Sequence, residues 1–328
     1  MRFQPTAEQA DFARSVGSLL SAAAVPSVVR AWSAGDHGPG RALFEKLAGT
    51  GVFALAVPER YEGLGPLPDV AAVAFTELGR YAVPGPLVES AAAAVLLDRL
   101  GQDGTAGRFL PELADGSAQA TLTLPGGSPY ALDADAARWR FAVTAAGELY
   151  LSPGPGAALA SSDPARRLFR PEPGGELLAA GPHVLAAAAT AGCWARLLTA
   201  AQCLGLGEAL LAQTVAYVRG RTQFGAAIGS FQAVKHRLAD TLLALEFARP
   251  LVWAAALDPG PREVAAAKLA AGEAAYRAAG TALQLHGAVG YTEELDLSLW
   301  LRKSRPLRDA WGTPSQCRAT TLPPARPQ

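Results

Sequence analysis

Tyr217-Val-Arg-Gly-Arg-Thr-Gln-Phe-Gly225 is the stretch on which the reading of this chain turns, and Gln284-Leu-His-Gly-Ala-Val-Gly290 is its companion. Each closes an Ala- and Leu-rich helical run with glycine, and Phe231-Gln-Ala-Val-Lys-His236 opens a new helix between them. A guanidinium such as that of Arg221 grips a pyrophosphate through paired hydrogen bonds that lysine cannot copy, and glycine lets backbone come close to a ligand. Gln284 is placed to donate to a phosphate or ribose oxygen. Taken alone, Arg-x-Gln-Phe-Gly fits a helix–helix turn with a surface arginine equally well. The spacing to Gln232 and to the second motif favours the ligand-binding reading. His286 reads as a packed, hydrogen-bonded residue rather than a catalyst.

Working outward, long Ala-Leu runs from Val184 onward are broken near Gly220–Gly229, Asp258–Pro261 and Gly287–Gly290. The breaks predict helices of roughly 25 to 35 residues, long enough for a bundle. Residues 116–183 differ: glycine and proline are frequent, and Arg138-Trp-Arg-Phe-Ala-Val-Thr144 and Glu148-Leu-Tyr-Leu-Ser152 alternate like strands. The first third reads as helices. Thr6 caps one with apolar residues Phe12, Val16, Leu19 and Leu20 at helical spacing. Arg41 to Gly49 forms another and leads into Val52–Pro58, followed by a glycine-punctuated turn, Glu59–Gly65. Asp69 caps a helix through Leu78, and Pro86 is an early residue of one running to Leu100. The expected fold is mainly α with a small central β domain: an N-terminal helical domain (1–115), a reduced β domain (116–183) and a C-terminal four-helix bundle (184–328). The tail, 322–328, is expected to be disordered.

The 29 Lys+Arg balance 29 Asp+Glu, so no basic footprint points to nucleic acid or an anionic membrane. Hydrophobic residues make up 50% of the chain, but much of this is alanine, which suits closely packed helices. No window of about 20 residues is both free of charge and rich in large apolar side chains, so no membrane span is expected. The start lacks the apolar core of a signal peptide. Cys193, Cys203 and Cys317 form no metal-like pair and read as free thiols in a reducing cytoplasm.

Helices, a small β segment and a four-helix bundle, carrying these two motifs, resemble the acyl-CoA dehydrogenases. Val57-Pro-Glu-Arg-Tyr-Glu-Gly-Leu-Gly65 is similar to that family's Pro-Glu-x-Tyr-Gly-Gly-x-Gly turn. The resemblance implies that Arg221, Gln223, Phe224 and Gln232 hold the ADP half of FAD, with Gln284, Gly287, Ala288 and Thr313 also at the cofactor. The family has two adjacent glycines where this chain has Gly287-Ala288, a modest weakening. In the family these elements reach across a dimer interface to the neighbouring subunit's flavin. A subunit's own flavin ring is held by the β segment, through a Thr-Glu-Pro-x-x-Gly-Ser-Asp-like stretch and a Trp-x-Thr. This chain has only Thr121-Leu-Thr-Leu-Pro-Gly-Gly-Ser-Pro129, without the acidic residue, and no Trp-x-Thr.

The same resemblance places a catalytic Glu-Gly-Thr at Trp311-Gly312-Thr313. Tryptophan cannot accept the substrate α-proton; it either fills the acyl cavity or simply packs. An alternative base position in the family, ahead of an Arg-Leu pair, reads Ala195-Arg196-Leu197 here. Aligning instead on Arg308-Asp-Ala310 would put Cys317 at the base site and lose the Gly-Thr match. The resulting expectation is a subunit with no catalytic residue of its own. It would share FAD with a homologous subunit that carries the Glu, dehydrogenates an acyl-CoA and passes electrons to an electron-transfer flavoprotein. Related two-subunit enzymes act on steroid side-chain thioesters, which offers an analogy for the substrate. Two rival readings stand beside this one. The first is a self-sufficient enzyme with a base relocated to Asp309, the nearest carboxylate in sequence, or to Glu293 or Glu294. The second is a flavin-free structural subunit.

Overall fold

The computed structural model describes residues 4–322. The expected disordered tail therefore lies, beyond Leu322, outside the described residues. The N-terminal part holds six helices: α1 (Ala7–Ala22), α2 (Val25–Ser33), α3 (Gly38–Ala48), α4 (Pro68–Arg80), α5 (Leu87–Arg99) and α6 (Asp103–Ala114). Thr6 caps α1 as expected, in a reciprocal box with Gln9. Asp69 does not cap α4. Pro68, whose fixed φ and missing N–H suit a first turn, starts that helix two residues earlier, with Leu67 at the N-cap, and the Asp69 carboxylate accepts instead from Gln9 Nε2 at 2.7 Å. Pro86 likewise stands just before α5 rather than within it.

The middle part is built from β1 (Ala120–Thr123), β2 (Ala131–Leu132), β3 (Trp139–Val143), β4 (Glu148–Leu151), β5 (Ala157–Leu159), β6 (Leu168–Arg170) and β7 (Glu176–Ala180). They form a four-stranded sheet ordered β1-β3-β4-β7 and a three-stranded sheet ordered β2-β6-β5. β1 runs parallel to β3, with Leu122 opposite Phe141, while β3 and β4 are antiparallel. Ser90 of α5 ties this sheet to the helices: its hydroxyl donates to Ala120 O and accepts from Ala120 N.

Then come α7 (Pro182–Gly220), a hairpin of β8 (Thr222–Gln223) and β9 (Ala226–Ala227), α8 (Gln232–Leu257), α9 (Pro261–His286), α10 (Leu297–Asp309) and α11 (Pro314–Thr321). α7, at 39 residues, is longer than the sequence pattern predicts, because nothing after Pro182 interrupts it before Gly220. By length and hydropathy alone it is long and apolar enough to cross a membrane. Its buried residues nevertheless pack against α4, α5, α8 and α9 in one continuous core. The fourth bundle helix, α10, is short and breaks at residues 310–313 before α11.

Two glycines set the distance between the N-terminal helices and the bundle. A Cβ on Gly205 of α7 would stand 1.8 Å from Thr76 O of α4, and one on Gly79 of α4 would stand 2.2 Å from Gln202 O of α7. The helices therefore touch backbone to backbone. Gly205→Ala is expected to destabilise the chain by about 1–3 kcal/mol or more, since the methyl meets a carbonyl that cannot rotate away. A urea midpoint equal to wild type, at unchanged m, would contradict this packing.

Candidate functional site

The first motif folds as the glycine placement requires. α7 ends at Gly220, and the Arg221 N–H donates to Tyr217 O at 2.9 Å. Thr222 and Gln223 then pair with Ala227 and Ala226. Phe224 (φ 56°) and Gly225 (φ 76°) make the tip, both left-handed, as a two-residue hairpin turn demands. This conformation is uncommon for phenylalanine. Phe224 is 93% exposed, and its ring stands edge-on to Phe231 with centroids 6.3 Å apart. Arg221, Gln223 and Gln232 are exposed as well.

The second motif lies against the first through Tyr217. The Tyr217 ring stacks on His286, with centroids 4.1 Å apart, and its hydroxyl donates to His286 O. His286 is buried, its Nδ1 lies 2.8 Å from Ala282 O, and burial lowers its pKa, so it is a packed residue as expected. Gln284 is exposed and lines a groove between α8 and α9 with His236, Arg237 and Arg277. Gly287 ends α9 with φ 63°. Ala288 is not among the residues with positive φ, so the methyl is accommodated without backbone strain.

Thr313 is placed elsewhere, in the cavity beside Trp311. Its hydroxyl accepts from Gln316 N and caps α11. Trp311 itself (φ 56°) is only 3% exposed. Its Nε1 donates to Glu89 Oε1 of α5 at 3.0 Å, and its carbonyl accepts from Arg196 Nε at 3.0 Å. Lys268, buried in α9, donates to Arg308 O and Gly312 O on either side. The indole also packs on the β segment: a Cβ on Gly127 would lie 3.3 Å from it. Trp311 is thus wedged between the bundle, α5 and the 124–128 turn.

Residues 6–117 match the N-terminal domain model of the acyl-CoA dehydrogenases and residues 185–318 the C-terminal domain model. The acyl-CoA dehydrogenase IpdE2 of Mycobacterium tuberculosis is 36% identical over 302 residues, 92% of each chain. The chain belongs to the acyl-CoA dehydrogenase family. Among solved structures, it is similar to the ChsE4-ChsE5 complex from Mycobacterium tuberculosis, with TM-score 0.83 and 25% identity over 97% of both chains. A steroid ACAD variant shares the fold, with TM-score 0.82 and 22% identity over 96% of both chains.

In this member of the family the carboxyl that touches Trp311 is none of those the sequence singled out. Asp309 is paired with Arg308 Nε at 3.1 Å, Glu293 is exposed and paired with Arg302, and Glu294 is exposed. The touching group is Glu89, which no motif flagged. Its one signal in the sequence is that of a lone acid in the apolar run of α5. Burial pushes the Glu89 pKa up, and its Oε2 has no hydrogen-bond partner.

A second buried acid, Asp133, lies in the β segment, beside the separate small cluster of Ala131, Ala134 and Phe169. Asp133 accepts from Arg167 N at 3.1 Å, yet burial raises its pKa to about 7. The folded chain therefore holds a proton that the unfolded chain releases near pH 4, and stability falls as pH rises from about 4 to about 7. Asn mimics the protonated acid and tolerates the φ of 49° at this position. Asp133→Asn is expected to gain on wild type across that window, by up to about 1.4 kcal/mol for each pH step of one. Denaturation at pH 5 and pH 7.5 checks this; a difference independent of pH would contradict it.

Proposed function

We propose that this chain is the non-catalytic subunit of a heteromeric acyl-CoA dehydrogenase. The observation that carries the reading is Trp311, a buried indole hydrogen-bonded to Glu89 where the family's base would stand. An indole cannot take an α-proton, and its bulk occupies the place of the carboxylate. Ala195, at the alternative base position, is buried and aliphatic.

The residues present fit half of an FAD site. The exposed hairpin offers the Arg221 guanidinium, the Gln223 amide and the uncovered ring of Phe224, with Gln232, Gln284 and the backbone at Gly287-Ala288 nearby in sequence or groove. Arg221 would hold the pyrophosphate, while the glutamines orient the ADP portion. FAD, when bound, supplies the acceptor for the substrate hydride. The flavin-ring side is another matter, because Trp311 packs against Gly127 where this chain's own β segment meets its bundle. We infer that the flavin served by the hairpin has its ring in a homologous subunit that carries the Glu. Leu242, Leu243, Phe247 and Leu251 lie exposed along α8, and Phe247 is 74% exposed, a surface of the kind that a partner covers. The likeness to a two-protein complex and to a steroid enzyme supports a heteromer acting on a bulky acyl-CoA, with an electron-transfer flavoprotein as acceptor in the cytoplasm.

Co-expression with a homologue bearing an intact Glu-Gly-Thr tests the reading. The expected product is a stable complex with flavin bound, whereas this chain alone holds little flavin and turns over no acyl-CoA. Robust turnover by the chain alone, with stoichiometric flavin, would establish the self-sufficient reading instead.

A further inference from the structure

The three-stranded sheet β2-β6-β5 has its own small apolar cluster of Ala131, Ala134 and Phe169, separate from the main core. Polar contacts of Arg167, half-buried just ahead of β6, tie this sheet to the N-terminal helices. Its guanidinium donates to Trp32 O in the last turn of α2 at 2.9 Å, to the Asp135 carboxylate, and to His37 Nε2 just ahead of α3. A guanidinium can only donate, so Nε2 must accept with its lone pair. His37 is therefore the neutral Nδ1–H tautomer.

The surroundings of the ring hold it in that state. Burial, then Arg167 and Arg41, keep the His37 pKa below its ordinary 6.5, while Asp135 and Asp36 pull the other way. A proton on Nε2 would remove the acceptor that faces Arg167 and set two cations in contact. We propose that His37 is a proton-operated latch: neutral, it fastens the three-stranded sheet to the α2–α3 corner, and protonated, it lets that sheet open locally. An opened chain takes up the proton at a higher pH than the latched one. The latch therefore contributes fully above about pH 6.5 and is lost as pH falls. Asp133 acts in the opposite sense, because burial raises its pKa to about 7 and its protonation on acidification favours the closed sheet. Exchanging His37 alone separates the two effects. The latch lies outside the shared-flavin reading and stands whether or not that reading holds.

Histidine-selective NMR and amide hydrogen exchange on the full-length chain test this. Through-space coupling to the Trp32 ring, whose centroid lies 4.7 Å from that of His37, identifies the His37 signal. It is expected to show the Nδ1–H tautomer at neutral pH and to titrate below 6.5. The variant for exchange is His37→Gln, whose amide oxygen accepts from Arg167 and takes no proton. Between about pH 7 and about pH 5.5, protection of the β2, β5 and β6 amides is expected to fall at least ~threefold more in wild type than in His37→Gln. Linkage caps the effect of one proton at about tenfold per pH step of one. Strands β1, β3 and β4 should show no such difference. An Nε2–H tautomer, or a midpoint at or above 6.5, overturns the proposal without recourse to any variant. So does an equal pH dependence of exchange in wild type and His37→Gln.

Discussion

Exchanging the catalytic Glu of the partner subunit for Gln is expected to abolish turnover of the complex, and Trp311→Glu in this chain is expected to restore none of it. The reason lies in what surrounds Trp311. Removing a buried indole forfeits packing worth about 3–5 kcal/mol. The incoming carboxyl would face Glu89, now 3.0 Å from the indole nitrogen, and two acids in one buried site keep one of them protonated. A proton acceptor must also be fixed against both thioester and flavin, where a displacement of about 1 Å costs about a hundredfold in rate. Steady-state assay of three complexes decides the matter: wild type, the partner variant, and the partner variant combined with Trp311→Glu. Activity surviving in the second, or returning in the third, would show that this chain holds a working site of its own.

Arg221→Ala is expected to lower FAD affinity of the complex about ten- to hundredfold, the equivalent of roughly 1.5–3 kcal/mol for a charge-assisted contact. The side chain is exposed, and the residue's hydrogen bonds, its N–H to Tyr217 O and its carbonyl from Ile228 N, are backbone bonds that alanine keeps. The variant should therefore unfold at the wild-type temperature. Flavin fluorescence, followed as the complex is serially diluted, gives the affinity. Wild-type retention of flavin in a folded variant would remove Arg221 from the pyrophosphate.

Where sequence and structure agree, the determinants are local. Phe224-Gly225 needs two left-handed residues, and Gly287 a third, so the breaks in the helical pattern mark the motif turns. Thr6 and Gln9 announce their cap by spacing alone. What the sequence hides is long-range. Glu89 and Trp311 are 222 residues apart in the chain, and nothing near either names the other. The parallel pairing of β1 with β3 joins segments separated by β2 and its loop, which alternation of apolar residues does not encode. Asp69 fails as a cap because Pro68 competes for the same turn and wins by its fixed φ.

The uncovered side of α8 has a consequence for how such a chain is made. Leu243 and Phe247 stay in water for as long as a copy lacks whatever covers them. Copies made in excess of their counterpart would be prone to self-association and to proteolytic clearance. Matched synthesis, from adjacent reading frames translated together, would keep that interval short.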